Sequence, residues 1–175
     1  RLRKNKMNMS YHRQARRSVL QSVLRNVVAG LLTFGLSMAH AQDAPSLNQN
    51  TAGKIEFMSA AKDTSLTTVV KKNVKLTDKI FGTLEFPANM TNARVPAVVL
   101  MHGSSGIEGG TTLEWAAYLR QLGLATFVVD SFEPRGVTST STNQSLVTYT
   151  TSGLDALAAL KVLLKHPRID SNKIG

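Results

Sequence analysis

The sequence has 175 residues, of which 42% are hydrophobic and none is cysteine, and its formal net charge is +10. This length and composition are typical of about one globular domain, and the lack of cysteine excludes disulfides, catalytic thiols and cysteine-based metal sites within these residues. Residues 1–41 hold eight lysines and arginines and no acid, whereas residues 42–175 hold 13 basic and 11 acidic residues. The resulting charge of +2 in the larger part predicts no nucleic-acid-binding surface.

The basic N-terminal segment continues into an apolar run, Val27 to Ala41, which ends in the small residues of Ala39-His40-Ala41. A basic region, an apolar core and a small-x-small ending together are typical of a secretory signal peptide. The apolar core is short for a membrane span. We therefore predict a signal peptide over residues 1–41, a membrane contact only during export, and a periplasmic or secreted mature protein. An uncleaved anchor and a core helix are the alternatives.

Residues 42–53 are small and polar and predict a flexible leader after the cleavage site. A single partial domain is predicted over residues 54–175. Its first segments, residues 54–60, 66–76 and 79–87, are rich in β-forming residues, with glycine and proline interrupting the last of them. They predict an antiparallel entry into a sheet.

A continuous apolar run, AVVLM at residues 97–101, predicts a strand that is buried on both faces of a parallel sheet. A helix is predicted after it, with Thr111 and Glu114 at the spacing of a capping box and Gly123 as its natural end. A second buried strand at residues 124–130 completes a β-α-β unit with a right-handed crossover. The residues at helical spacing that we expect to face the core are Trp115, Leu119 and Leu122.

The next predicted helix, LVTYTTSGLDALAALKVLLKHP, is apolar over most of its surface, which predicts burial on more than one side. It ends before Pro167, because proline cannot continue a helix and restricts the residue before it. RIDSNKIG then predicts a turn and a further strand that begins at Lys173. Because the sequence stops within that strand, we expect it to be part of a longer domain.

Two loops follow the two buried strands, HGSSGIEGG at residues 102–110 and SFEPRG at residues 131–136. Ligands of open α/β sheets bind beyond the carboxyl ends of the strands, where both loops are predicted to lie. The small residues of the first loop let its backbone approach a ligand closely. Backbone N–H groups about 3 Å from a developing negative charge are what stabilisation of an oxyanion requires.

The ordered set of MHGSSG, VVDSFEPRG and HPRIDSNKIG, each at its place after a strand or a helix, resembles the dienelactone hydrolase family of α/β-hydrolases, particularly its exported members. The resemblance covers residues 55–175. It implies an α/β-hydrolase fold, of which this chain holds the N-terminal part of a doubly wound, mostly parallel sheet, truncated before the nucleophile elbow.

The resemblance also implies roles for loop residues. His102 and Gly103 match the start of the oxyanion loop, and the backbone N–H of Ser104 is the implied oxyanion donor, with a second donor from the residue after the nucleophile. In such proteins RIDSNKIG leads into the nucleophile elbow, so the whole triad is implied beyond Gly175. Dienelactone hydrolase proper has a glutamate at the position of Gly103, beside a cysteine nucleophile. The glycine favours a serine nucleophile and a substrate other than dienelactone.

Each candidate residue also has a structural interpretation. His102 is expected to support the loop by hydrogen bonding rather than to react, and Asp130 is expected to be structural because the triad acid follows the nucleophile in the chain. Glu133 and Arg135 either form an ion pair or bind an anionic group of the substrate. The hydroxyl of Ser104 is not expected to be a nucleophile, since no base is placed for it.

The sequence thus predicts part of an exported enzyme that hydrolyses a small-molecule ester or lactone through a nucleophile, a histidine and an acid. No metal or organic cofactor is implied, and this stretch alone is expected to be inactive. The alternatives are a peptidase or acyl-transferring hydrolase of the same fold and a non-catalytic binding protein of that fold. The residues that follow Gly175 discriminate between them.

Overall fold

A computed structural model describes residues 45–90 and 94–175, which contain five β-strands, three α-helices and one short 3₁₀ helix. The predicted signal peptide over residues 1–41 lies outside these ranges. The strands are β1 (Gly53–Ala60), β2 (Leu76–Glu85), β3 (Val95–Met101), β4 (Ala125–Asp130) and β5 (Ile169–Ile174). The helices are α1 (Leu66–Val70), α2 (Thr112–Gln121) and α3 (Tyr149–Leu163), with the 3₁₀ helix at Glu133–Arg135.

The strands form one sheet in the order β1-β2-β4-β3-β5. β1 and β2, and β2 and β4, are antiparallel, whereas β3 is parallel to both β4 and β5. The crossover through α2 runs from β3 to β4, and the crossover through α3 runs in the opposite direction across the sheet. Right-handed crossovers in opposite directions place their helices on opposite faces. The predicted α/β class is confirmed, although the described part of the sheet is mixed rather than mostly parallel.

The main core lies between the sheet and α3, and Phe127 of β4 is at its centre with no exposed surface. Its ring lies 5.8 Å from the ring of Phe57 on β1. On the intervening strand, a Cβ at Gly82 would lie 2.6 Å from the Phe127 ring. The glycine therefore leaves the space that the phenylalanine fills, which a larger residue would take from it.

The packing of α2 differs from its prediction. Trp115 is 56% exposed and Leu122 is 59% exposed, whereas Ala116 is 1% exposed. The helix thus contacts β4 through a small side chain. The predicted core stripe was wrong for Trp115 and Leu122, whereas Leu119 is half-buried. Thr111 occupies the N-cap position, but its side chain makes no capping hydrogen bond because its ψ of 12° is far from the extended cap conformation. Gly123 follows the helix with a φ of +86°, as predicted for a terminating glycine.

The burial of α3 is also narrower than predicted. Its buried residues include Thr151, Asp155 and Ala159, which are spaced four apart and form one stripe toward the sheet. Leu157 and Leu164 are 38% and 48% exposed, so the helix is not buried on more than one side. An apolar composition alone does not fix how many neighbours a helix has.

Three strand predictions need correction. Residues 66–70 form α1 instead of a strand, because the Ser65 side chain accepts a hydrogen bond from the Thr68 N–H at 3.2 Å and caps a helical turn. β3 is less buried than predicted, with Ala97 as its one fully buried residue, whereas β4 is buried over five of its six residues. β5 begins at Ile169, before the predicted start at Lys173, and its register against β3 shifts between Ile169 and Ile174.

The end of the predicted leader is attached to the domain. Leu47 packs against the main core, and Nε2 of His166 lies 3.0 Å from the Thr51 carbonyl oxygen. The guanidinium of Arg168 also lies 3.4 Å from the Gln49 carbonyl oxygen. No helix within the described ranges is long and apolar enough to cross a membrane.

Candidate functional site

The loops after β3 and β4 meet at the carboxyl edge of the sheet, because these neighbouring strands are parallel. Their contact is made through the carbonyl oxygen of Ser104. It accepts hydrogen bonds from the Thr140 N–H at 2.8 Å and from the Ser139 hydroxyl at 2.9 Å. The loop after β3 is therefore fixed by the polar segment that follows β4, a contact that the sequence pattern did not predict.

His102 lies inside this junction with its side chain 1% exposed. Its Nε2 accepts a hydrogen bond from the Ser131 N–H at 3.1 Å, and its Nδ1 lies 2.9 Å from the Gly103 carbonyl oxygen. A backbone N–H can only donate, so Nε2 carries no proton, and Nδ1 donates to Gly103 as the neutral tautomer. Both ring nitrogens are thus engaged within the fold. This arrangement suits loop support and leaves neither nitrogen for proton transfer.

The histidine fixes the peptide group between Gly103 and Ser104. The Gly103 carbonyl oxygen accepts from both His102 Nδ1 and the Gly106 N–H, the latter at 3.0 Å. Since a peptide group is planar and trans, the Ser104 N–H points in the opposite direction from that carbonyl. Among the residues that the structure describes, this N–H has no acceptor. The loop therefore presents a donor of fixed direction that is free to bind a ligand.

Gly106 makes this turn possible. Its φ is +75°, and a Cβ at this position would lie 2.8 Å from the Thr138 carbonyl oxygen. Both the backbone conformation and the close approach of the second loop therefore exclude a side chain. The sequence predicted a general need for small residues in this loop. At Gly106 the need comes from both the positive φ and the close contact, and at Gly109 it comes from a Cβ that would lie 2.5 Å from Cβ of Ser105.

The Ser104 hydroxyl has a carboxamide as its partner. Nε2 of Gln144 donates to it at 3.0 Å, and the hydroxyl lies 3.4 Å from Oε1 of the same residue. Neither carboxamide atom can remove a proton from a hydroxyl. The geometry agrees with the expectation that this serine is not a nucleophile.

Arg135 belongs to the loop after β4, and its side chain is 2% exposed. Its five N–H groups are all engaged: Nε on Asp78, one terminal nitrogen on Asp155 and the Ser131 carbonyl, and the other on Asp155 and the Ala60 carbonyl. Burial alone would lower the pKa of this guanidinium, but the bonds and charges of Asp155 and Asp78 raise it above its usual value.

These contacts correct the predicted partner of Arg135. The arginine pairs with two aspartates on β2 and α3, and not with Glu133. With no free donor and almost no exposed surface, it cannot bind an anionic group of a substrate. Glu133 is exposed at the start of the 3₁₀ helix, and a substrate contact for it stays a prediction.

Asp130 stabilises the turn that carries Arg135. Its Oδ1 accepts from the N–H groups of Phe132 and Glu133 at 2.8 and 2.9 Å. It also lies 3.8 Å from Nε2 of His102, which is too long for a hydrogen bond, and that nitrogen already accepts from Ser131. The geometry agrees with the structural interpretation of this aspartate.

Sequence reasoning missed Asp155 and Gln144. Asp155 is fully buried in α3, where its carboxylate binds Arg135 and the Ser59 hydroxyl. A lone acid within an apolar helix is a usable signal, since aspartate is almost never fully buried without a partner. Gln144 had no such signal, because polar residues are ordinary in a loop. Within the described ranges, no group of three histidine, cysteine or acidic side chains could hold a metal ion.

No protein-family model matches the chain, and no curated protein matches its sequence. Solved structures do resemble it. A hypothetical protein from Pseudomonas aeruginosa is 14% identical, with a TM-score of 0.49 over 78% of this chain and 38% of its own. A dienelactone hydrolase-like promiscuous phosphotriesterase from metagenomic libraries is 20% identical, with a TM-score of 0.42 over 70% of this chain and 47% of its own.

A mutant of an esterase, Est22, is 17% identical, with a TM-score of 0.45 over 86% of this chain and 40% of its own. The chain thus spans less than half the length of these three structures. At such identities and scores the similarity assigns neither a family nor an activity. The α/β architecture rests on the strand order and the two crossovers described above.

Proposed function

We propose that this chain supplies the oxyanion loop of an enzyme that hydrolyses small-molecule esters or lactones. The observation that carries the proposal is the Ser104 N–H, which is fixed in direction and has no acceptor among the described residues. It lies at the carboxyl edge of a parallel pair of strands, the usual place of ligands in such sheets. The resemblance of the loop sequences to dienelactone hydrolases supports the same function.

In the proposed reaction, a nucleophile attacks the carbonyl carbon of the substrate, and the electron pair of the carbonyl bond moves to the oxygen. The Ser104 N–H donates a hydrogen bond to that oxygen as its negative charge develops. Because His102 holds the donor in place before the substrate arrives, little reorganisation is needed during the reaction. His102 acts through Gly103 and is a positioning residue.

The nucleophile, its histidine and its acid are proposed to come from residues that follow Gly175, with serine favoured as the nucleophile. We propose that the protein is exported, on the strength of the basic segment and the apolar run that ends in Ala39-His40-Ala41. N-terminal sequencing of the mature protein tests this part, with Gln42 as the expected first residue. A mature chain that retained Val27 would contradict it.

Two substitutions of Ser104 test the proposed donor in the protein encoded by the complete reading frame. Ser104→Pro removes the N–H, whereas Ser104→Ala keeps it and removes the hydroxyl. Loss of one oxyanion donor lowers kcat by about 100- to 1,000-fold, so we expect this loss on p-nitrophenyl esters for the proline variant, and a much smaller loss for the alanine variant, which loses only the bond between its hydroxyl and Gln144. Circular dichroism of both variants controls for folding.

Other outcomes distinguish the remaining interpretations. Equal loss of activity in both variants would assign the reaction to the Ser104 hydroxyl and contradict the proposed donor. Faster turnover of peptides than of esters would favour a peptidase. A reading frame without Ser, Cys or Asp at the elbow after Gly175 would favour a non-catalytic binding protein. The 175-residue chain by itself is expected to resist labelling by a fluorophosphonate.

A further inference from the structure

Ser104 belongs to a closed ring of hydrogen bonds with Thr140 and Gln144. The Thr140 N–H donates to the Ser104 carbonyl at 2.8 Å. The Thr140 hydroxyl donates to Oε1 of Gln144 at 3.2 Å, and Nε2 of Gln144 donates to the Ser104 hydroxyl at 3.0 Å. The ring therefore holds one residue by both its backbone and its side chain.

The members of the ring differ in burial. Thr140 is 2% exposed, so the backbone end of the ring is fixed within the protein. Gln144 is exposed and closes the ring through its side chain alone. Its removal would release the Ser104 side chain while leaving the Thr140 backbone bond in place. Gln144 can therefore be substituted without removing the hydrogen bond between Thr140 and the Ser104 carbonyl.

We infer that Gln144 is a positioning residue for the oxyanion donor. His102 fixes the peptide group between Gly103 and Ser104. Gln144 fixes Ser104 itself, because it bonds both to the serine hydroxyl and to Thr140. The inference rests on the proposed function and adds to the site a side chain from the polar segment that follows β4. The loop after β4 therefore contributes to anion binding without itself touching the anion.

In the ring as it is found, the side chain at position 144 is neutral and uses one donor and one acceptor. A carboxamide provides both. A carboxylate accepts from both hydroxyls, which reverses the direction of the bond to the Ser104 hydroxyl, and it places a negative charge close to the proposed anion site. A protonated carboxyl group has one donor and one acceptor and would restore the ring.

The test uses the protein encoded by the complete reading frame, labelled with ¹⁵N and titrated with diethyl phosphate, a tetrahedral anion that stays singly charged between pH 4 and pH 8. In the native sequence we expect a saturable shift of the Ser104 amide signal. Gln144→Ala should weaken binding about 3- to 10-fold, the effect of one or two hydrogen bonds of ordinary net strength. Thr142→Ala, in the same segment but outside the ring and at an exposed position, should bind as the native chain does.

Gln144→Glu gives the readout that a merely structural role would not move. We expect it to bind more weakly than Gln144→Ala at pH 7 and to recover as the introduced carboxyl group is protonated, near pH 4. Asn143→Asp adds the same charge outside the ring. We expect it to weaken binding at pH 7 less than Gln144→Glu does, and to recover less at low pH. The native chain is measured over the same pH range as the control.

The outcomes separate the inference from the proposed function. If the Ser104 amide shifts in the native chain and Gln144→Ala binds equally well, the positioning role is wrong and the proposed donor stands. Absence of recovery in Gln144→Glu at low pH, with the native chain still binding, would also overturn the positioning role. If the native Ser104 amide does not respond to the anion, the proposed donor and the positioning role both fail.

Discussion

The two loops at the carboxyl edge of the sheet use their polar groups in opposite ways. In the loop after β4, Arg135 has all five N–H groups engaged and its side chain is 2% exposed. In the loop after β3, the Ser104 N–H has no acceptor among the described residues. From the sequence, both Arg135 and the backbone N–H of Ser104 were candidate binding groups. What distinguishes the two is whether the N–H groups already have acceptors within the fold. Those of Arg135 do, and that of Ser104, within the described part of the chain, does not, so only Ser104 remains a candidate binding group.

The largest expected effect is the loss of Arg135, which tests whether the loop after β4 is structural. Arg135→Ala leaves the fully buried Asp155 without its cation. Breaking such a buried pair costs about 3–5 kcal/mol in the free energy of unfolding, which urea denaturation measures. Lys79→Ala, which removes an exposed ion pair with Glu56, should change little. Similar stability of the two variants would show that the buried pair is not a main support.

A second substitution tests how closely the two loops are held together. Gly106→Ala introduces a Cβ 2.8 Å from the Thr138 carbonyl oxygen at a φ of +75°, and we expect a loss of about 1–3 kcal/mol. Gly123→Ala shares the positive φ but meets no atom within 4 Å, so it isolates the conformational part of the loss. Chemical denaturation of both variants should rank Gly106→Ala as the less stable. The reverse order would contradict the close contact of the loops.

A second buried histidine, His166, lies away from both loops and should make the stability of the protein depend on pH. Desolvation by burial lowers its pKa below the usual value, the hydrogen bond with the Thr51 carbonyl raises it, and the charge of Arg168 lowers it further. The unfolded chain therefore binds a proton more readily than the folded one as the pH falls through about 6.5. Stability from this group is present above that pH and is lost below it.

Urea denaturation between pH 7.5 and pH 5.5 measures this loss. His166→Gln removes the titrating group, and we expect the variant to show a weaker dependence of stability on pH than the native chain. An unchanged dependence would show that other groups control the acid side. The two buried histidines differ in what they connect. His102 joins the loops after β3 and β4, whereas His166 joins the residues after α3 to the Thr51 carbonyl before β1.

Much of the sheet could be predicted because its strands carry local signals. The apolar run of β4 and the glycine at position 123 required no knowledge of distant residues. The side of α2 that contacts the sheet could not be predicted in this way, because Trp115 and Ala116 are neighbours and both are apolar. Which of them is buried depends on how closely the helix approaches β4, and that distance is set by the tertiary structure.

The candidate site was predictable in part for the same reason. His102, Gly103 and Ser104 form a contiguous motif, so the sequence places them together. The partners of this motif, Ser131 and Gln144, lie 29 and 40 residues away along the chain. Contacts over such separations leave no local pattern when both partners are ordinary loop residues.

The smallest expected effect concerns the exposed side of α2. Because Trp115 is 56% exposed and its ring contacts Tyr118 on the same helix, Trp115→Gln should change the free energy of unfolding by no more than about 0.5 kcal/mol. Ala116→Leu, which overfills the buried contact with the sheet, should cost about 1–3 kcal/mol. Thermal unfolding followed by circular dichroism compares them. A large loss for the tryptophan variant would restore the predicted core stripe.

The central claim is that His102 supports a free backbone donor and does not itself transfer protons. The protonation of its two ring nitrogens, measured by ¹⁵N NMR at neutral pH, tests the claim most directly. The structure predicts a neutral ring with the proton on Nδ1, bonded to Gly103, and an unprotonated Nε2 that accepts from Ser131. A proton on Nε2, or a ring that exchanges freely between its two tautomers, would contradict the account.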